Sequence, residues 1–324
     1  MVLQTSGQIT FSDVNTELQR SSTAQLSMGD TDFRLLAGKP TGSFSMNDLY
    51  GKSYIFNATI SSNQQELNLA IWAQSNGWNG VFPAVITVNP GVYIWSDSTS
   101  IAGLTTGVFP RGLIIINNGF IMGRGGNGGV GAGTRENGYN GGNAILLNSN
   151  TIIQHNASGY IGGGGGGGAG GSQGAGGGGA GGGTGGYSYY KGTQIGGAGG
   201  IVGNIGSNGT EYWTGDGYYG RGGGAGGSGG NGKSNKGSDD VGAGGGGGRI
   251  FPGIGGVGGG SAGGSANNVG SNGGGRTGAG GGGWGVNGGS SDTYIGGSGG
   301  KAISLNGYSC TLTGVTNQIY GVIS

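Results

Sequence analysis

An irregular, β-rich fold is expected of this chain: a small mixed N-terminal part and a β base carrying a packed lattice of polyglycine-II helices. Three observations predict it. Gly accounts for 95 of 324 residues, about four times ordinary usage. Only 8% of residues are charged, with a formal net charge of +1, and two copies of one short strand pattern bracket the glycine-rich stretch. A collagen triple helix needs Gly at every third position with abundant Pro, whereas this chain has 5 Pro and an unbroken glycine run at 162–168. Disorder is disfavoured by the low charge and by aromatics scattered among the runs.

Residues 1–53 hold a small repeat. Ile9-Thr10-Phe11-Ser12-Asp13-Val14 returns as Phe44-Ser45-Met46-Asn47-Asp48-Leu49, with an echo at Gln25-Leu26-Ser27-Met28-Gly29-Asp30. Each copy predicts a short strand running into a Ser, Asn or Asp helix cap. The unit is too small for a catalytic domain and reads as an attachment segment or as a structural cap on the next domain.

Residues 54–122 predict a mixed α+β base with the one conventional hydrophobic core. Strands are expected at 54–60, 84–88, 91–95 and 113–117, and a helix from Glu66 through Ala73 that stops near Asn76-Gly77.

Gly141-Gly142-Asn143-Ala144-Ile145-Leu146-Leu147-Asn148 reappears as Gly299-Gly300-Lys301-Ala302-Ile303-Ser304-Leu305-Asn306. After each copy comes a strand, a turn and a closing aliphatic, and Asn117-Asn118-Gly119-Phe120-Ile121-Met122-Gly123 matches the end of the same unit. Short strands with Gly corners are the pattern of stacked rungs. If the first and last rungs stack, the glycine region is an excursion from one base, and 301–324 are return strands packing on that base.

Residues 123–300 form the expected glycine domain. A polyglycine-II strand has three residues per turn, rises about 3.1 Å per residue and bonds nothing within itself. Without Cβ atoms, neighbouring strands approach closely enough to satisfy one another's backbone groups. Non-glycine interruptions at 187–195, 204–219, 233–241, 249–252, 265–268 and 290–295 then fall at the lattice ends as turns. Aromatic turns on a rigid body suit binding. The candidate contact residues are Tyr187, Tyr189, Tyr190, Tyr212, Trp213, Tyr218, Tyr219, Lys233, Asp239, Asp240 and Tyr294.

The run from Gly112-Leu113-Ile114-Ile115-Ile116-Asn117 through Gly123-Arg124-Gly125-Gly126-Asn127-Gly128-Gly129, with glycine runs broken by aromatic loops after it, resembles the distal tail-fibre adhesins of T-even-like bacteriophages. The resemblance covers 54–324. It implies a sandwich of polyglycine-II helices whose far loops recognise an outer-membrane protein or surface glycan of the bacterial host. It further implies an N-terminal region bound to a trimeric tail-fibre protein, and a place at the fibre tip of the virion after synthesis in the host cytoplasm. Residues 1–53 look instead like the N-terminus of other phage tail proteins.

Several chemistries are set aside. The near-neutral charge lacks the basic stripe of a nucleic-acid binder, and the run Leu113-Ile114-Ile115-Ile116 is too short for membrane insertion. The N-terminus Met1-Val2-Leu3-Gln4-Thr5 carries no secretory signal pattern. Gly227 to Ser234 matches a phosphate-binding loop, but no hydrophobic strand precedes it. His155 is the single histidine and reads as a turn residue between rungs; no cofactor or metal is expected. Cys310 stands alone and forms no internal disulfide. No base stands beside a nucleophile in any recognisable pattern, so a binding protein is expected and not an enzyme. The competing readings are a tail structural protein or tailspike acting on surface polysaccharide, and a free ice-binding protein.

Overall fold

The computed structural model describes residues 2–189, 194–210, 226, 244–258 and 261–324. The N-terminal repeat becomes three capped turns around a shared core. Helix α1 (Phe11–Glu17) starts at Thr10, whose N–H reaches the Asp13 carboxylate at 2.8 Å. Helix α2 (Thr31–Leu36) is capped by Asp30, which accepts from the Phe33 N–H at 3.1 Å. A 3-10 turn at Met46–Leu49 repeats the first arrangement, with the Ser45 N–H on Asp48 at 2.8 Å.

No strand precedes any of these caps among the described residues, contrary to expectation. The helical turns begin right after Thr10, Asp30 and Ser45, so Ser12-Asp13 and Asn47-Asp48 lie inside them. Their apolar residues Val14, Phe33 and Leu49 meet in a fully buried cluster, with Phe33 edge-on to Phe11 and Phe44. Phe82 of the base joins this cluster, and Arg111 of the base bonds Asp32 at 2.6 Å. A core separate from that of the base is therefore present, and it packs against the base through Phe82 and Arg111.

The base is a stack of short rungs whose strands form three parallel sheets. Rung one is β1 (Phe56–Ile60), β2 (Gln64–Gln65) and β3 (Leu67–Asn68). Helix α3 (Leu69–Ser75) then intervenes, capped by Asn68 accepting from the Ile71 N–H at 3.2 Å. The sequence extends this helix back to Glu66. In the fold Leu67 stays buried in the rung core and Asn68 starts the helix.

Rung two is β4 (Ala84–Val88), β5 (Tyr93–Trp95) and β6 (Leu104–Thr105). Rung three is β7 (Leu113–Asn117), β8 (Phe120–Met122) and β9 (Ile145–Leu146). Rung four is β10 (Thr151–His155), β11 (Tyr160–Gly162) and β12 (Ile303–Ser304). The last rung is β13 (Cys310–Gly314), β14 (Ile319–Tyr320) and a bridge from Ile323 to Ile303. In β4, β7 and β10 alternate side chains point inward, as a stack with one buried face requires. The bracketing duplication is a register: Ile145 pairs with Ile303, Thr151 with Cys310 and Ile161 with Ile319.

Both glycine excursions leave after the second strand of a rung and return into the third, at 123–144 in rung three and 163–302 in rung four. They contain no helix and no strand longer than an isolated bridge among the described residues. Their backbone bonds run between segments with a period of three. Gly164, Gly167 and Gly170 donate to Gly142, Tyr139 and Glu136; Gly165, Gly168 and Gly171 donate to Ala180, Gly177 and Gly174; Gly166 and Ala169 donate to Val286 and Gly289. The carbonyls of the same segment accept from a further set, such as Gly126 and Gly129 on Gly165 and Gly168. Asn side chains finish one edge with the same period: Asn137, Asn140 and Asn143 accept from the N–H groups of Ile295, Ser298 and Lys301 at 3.0, 2.8 and 2.9 Å.

A third cluster fastens the excursions to the base. Outward-facing Tyr93, Phe120, Tyr160 and Tyr320 line the second sheet, and Phe251 stacks on Tyr160 at 5.3 Å and on Trp284 at 4.0 Å. Trp284 is fully buried and donates its indole N–H to the Ile250 carbonyl at 3.0 Å. Among the described residues the core of 54–122, which extends through Ile153 and Ile161 to Ile303, is thus one of three.

Candidate functional site

Chain direction assigns each interruption to an end of the glycine body. Residues 163–171 leave the base and 174–181 return antiparallel to them, as the bonds from Gly165 to Ala180 and from Gly171 to Gly174 require. The same tracing puts turns near 131–136, 171–174, 273–277 and 291–294, and the bridge between Ser188 and Gln194, at the end away from the base. Turns at 201–204, 249–252 and 265–268 lie at the base end. Interruptions therefore occupy both ends, and 249–252 serves the junction: Phe251 stacks on base aromatics and Arg249 bonds the Ser96 carbonyl at 3.2 Å. The segment 204–219 starts at the base end.

Two buried serines, Ser188 and Ser291, sit at the far end. The backbones of Ser188 and Gln194 bond each other at 3.2 and 2.9 Å, and Ser188 Oγ donates to the Gln173 carbonyl at 2.7 Å. Ser291 and Tyr294 close a tighter turn with two 2.9 Å bonds, and Ser291 Oγ donates to the Gly274 and Thr277 carbonyls. Ser188 gives the Gln173 carbonyl, and Ser291 the Thr277 carbonyl, a donor that a glycine there would lack, while the Gly274 carbonyl also accepts from the Thr277 N–H.

Tyr187 and Tyr189 flank Ser188 and are 48% and 56% exposed. Tyr294 is half-buried, with the Arg135 guanidinium 5.9 Å from its ring centre and Arg135 bonded to Asp292 at 3.2 Å. The rim thus joins Tyr187 and Tyr189 through Gln173 and Gly131 to the group of Arg135, Asp292 and Tyr294. Sequence reasoning missed Arg135 and Asp292. The signal was there, since Thr134-Arg135-Glu136 interrupts a glycine run as the aromatic loops do. Exposed Tyr139 was missed as well; its hydroxyl meets Glu136 at 3.2 Å, and that carboxylate's charge raises the phenol's pKa.

Tyr190, Tyr212, Trp213, Tyr218, Tyr219, Lys233, Asp239 and Asp240 lie outside the described residues, as does the phosphate-loop match at 227–234. Among the described residues no group of His, Cys, Asp or Glu could hold a metal ion, and no helix is long and apolar enough to cross a membrane. His155 sits at the end of β10, fully buried, taking a hydrogen bond on Nδ1 from Asn117 at 3.1 Å. Cys310 opens β13, and burial raises its thiol pKa.

The whole chain is similar to one in the crystal structure of the gp37-gp38 adhesin tip complex of the bacteriophage S16 long tail fibre. Identity is 17% and the TM-score 0.47, over 99% of this chain and 100% of that chain. No curated protein matches the chain. The model of the family described as phage tail fibre adhesin Gp38 matches residues 55–239, which run from rung one through β11 and into the second glycine excursion. The chain belongs to the phage tail fibre adhesin Gp38 family.

Proposed function

We propose that this chain is the receptor-binding tip of a T-even-like phage tail fibre, recognising an outer-membrane protein or surface glycan of the host by the aromatic rim away from the base. The reading rests on one observation above others. A body held largely by backbone hydrogen bonds between glycine segments carries exposed Tyr187 and Tyr189 on either side of buried Ser188 at its far end.

In this reading the glycine body, 123–300, is a polyglycine-II lattice. The three-residue period of its donors and the close approach of its segments support that assignment. Rigid aromatic side chains give large contact area at low entropy cost. The tip acts by binding and performs no catalysis. The cap, 1–53, and the rung stack attach it to the trimeric fibre protein, with 301–324 closing the stack.

The test is adsorption. Replacing Tyr187, Tyr189 and Tyr294 by Ala, alone and together with Tyr212-Trp213, is expected to abolish host adsorption while assembled particles and folded body persist. An interface anchor truncated to Ala typically costs about 2 kcal/mol or more. Wild-type adsorption after all rim loops are replaced by Gly-Ser would move recognition elsewhere.

A further inference from the structure

A pocket of about 280 Å³ lies where the glycine body meets rung two, walled by Trp95, Asp97, Arg124, Gly200, Ile201 and Arg249. Two guanidinium groups meet there. They converge over Gly182, where an added Cβ would lie 2.6 Å from Arg249 Nε and 3.0 Å from Arg124 Nη1. Arg249 is 3% exposed and bonded through two of its nitrogens: Nε donates to the Gly181 carbonyl at 3.1 Å, and Nη2 donates to the Ser96 carbonyl at 3.2 Å and pairs with Asp97.

Arg124 has none of this. Among the described residues its guanidinium makes no hydrogen bond or ion pair, although it is half-buried against a second cation. Burial, and then repulsion from Arg249, lower its pKa. Asp97 forms its ion pair with Arg249; burial works against its charge, yet Arg249, Trp95 and, more weakly, the charge of Arg124 hold its carboxyl below the ordinary value. One carboxylate thus faces two guanidinium groups, and a desolvated, unpaired cation is costly unless an anion meets it.

We propose that this pocket is an oxyanion site that takes the carboxylate or phosphate of a small acidic saccharide, with Arg124 as the fork that reads it. A planar guanidinium with free donors matches carboxylate and phosphate geometry. Trp95 and Ile201 supply an apolar wall for a sugar ring, and the volume suits one monosaccharide. The site lies at the base end of the body, away from the aromatic rim, so it is independent of the receptor reading above.

The experiment is a titration of the full-length ¹⁵N-labelled chain with inorganic phosphate, galacturonate, galactose or chloride at constant ionic strength. It follows the Arg124 Nε–H resonance by NMR and binding by calorimetry. Saturable shifts with galacturonate and phosphate but not with galactose or chloride are expected, and Arg124→Gln should weaken binding at least about tenfold, since it removes the charged donor. Arg124→Lys keeps the charge without the fork and should bind more weakly than wild type, which serves if the Gln variant does not fold. Saturation by phosphate alone would overturn the saccharide and keep the oxyanion site. Equal binding of galactose, no saturable response to any anion, or unchanged affinity in both variants would overturn the site.

Discussion

A methyl group on Gly167 would enter the space of the Asn127 carbonyl, and backbone cannot yield there without breaking bonds to neighbours on every side. Gly167→Ala is therefore expected to destabilise the chain by about 2–3 kcal/mol or more, the cost of overpacking. Gly274→Ala has room, with Thr277 Oγ1 at 3.7 Å, and should stay within about 0.5 kcal/mol of wild type. Urea unfolding of the two variants side by side checks both. His155 gives a pH prediction. Burial pushes its folded pKa below the ordinary 6.5, so the unfolded chain binds the proton more tightly. Stability is complete above about pH 6.5 and falls as pH drops from there towards the folded value. Melting temperatures from pH 8 to 5 should show that fall, and His155→Gln should flatten it.

At the scale of elements, the junction of glycine body and rungs depends on Phe251 and Trp284, which close the aromatic face of the second sheet. Truncating fully buried Trp284 to Ala should cost about 3–5 kcal/mol, and truncating half-buried Phe251 less. Denaturant unfolding is the measurement; a loss under about 1 kcal/mol would mean that the hydrogen-bonded body holds to the base without this cluster. Helix α3 and the capped N-terminal turns show where local signals spoke truly. Asp30 and Ser45 cap as the pattern predicted and the stop at Asn76-Gly77 holds, while Thr10 and Asn68 cap where no cap was expected. The strand expected before each N-terminal cap failed because a strand needs a neighbouring edge, which no short window reveals.

For the whole molecule, the rung stack closes on itself through pairs such as Ile145 with Ile303, leaving both excursions as insertions. Replacing 163–300 by a short Gly-Ser linker is expected to leave a folded base of lower melting temperature, with β circular dichroism retained. Loss of all cooperative unfolding would show that base and glycine body form a single folding unit. The bare aromatic face of the second sheet will lower that base's solubility.

The sequence by itself determined the rung pattern and the return of the chain to its base, because alternation and duplicated strands are local and repeat with a fixed offset. It also determined that the glycine runs pack by backbone, since few side chains there could build a core. Only the tertiary structure decided which turns face outward. Glycine segments look alike in sequence, and direction along each is known only once its bonded neighbours are. Arg135 and Tyr294 came together in that way from segments far apart in the chain, as did Arg124 and Arg249. Phe251 and Trp284 became junction residues for the same reason: stacking against Tyr160 and Phe120 needs the body folded back on the second sheet.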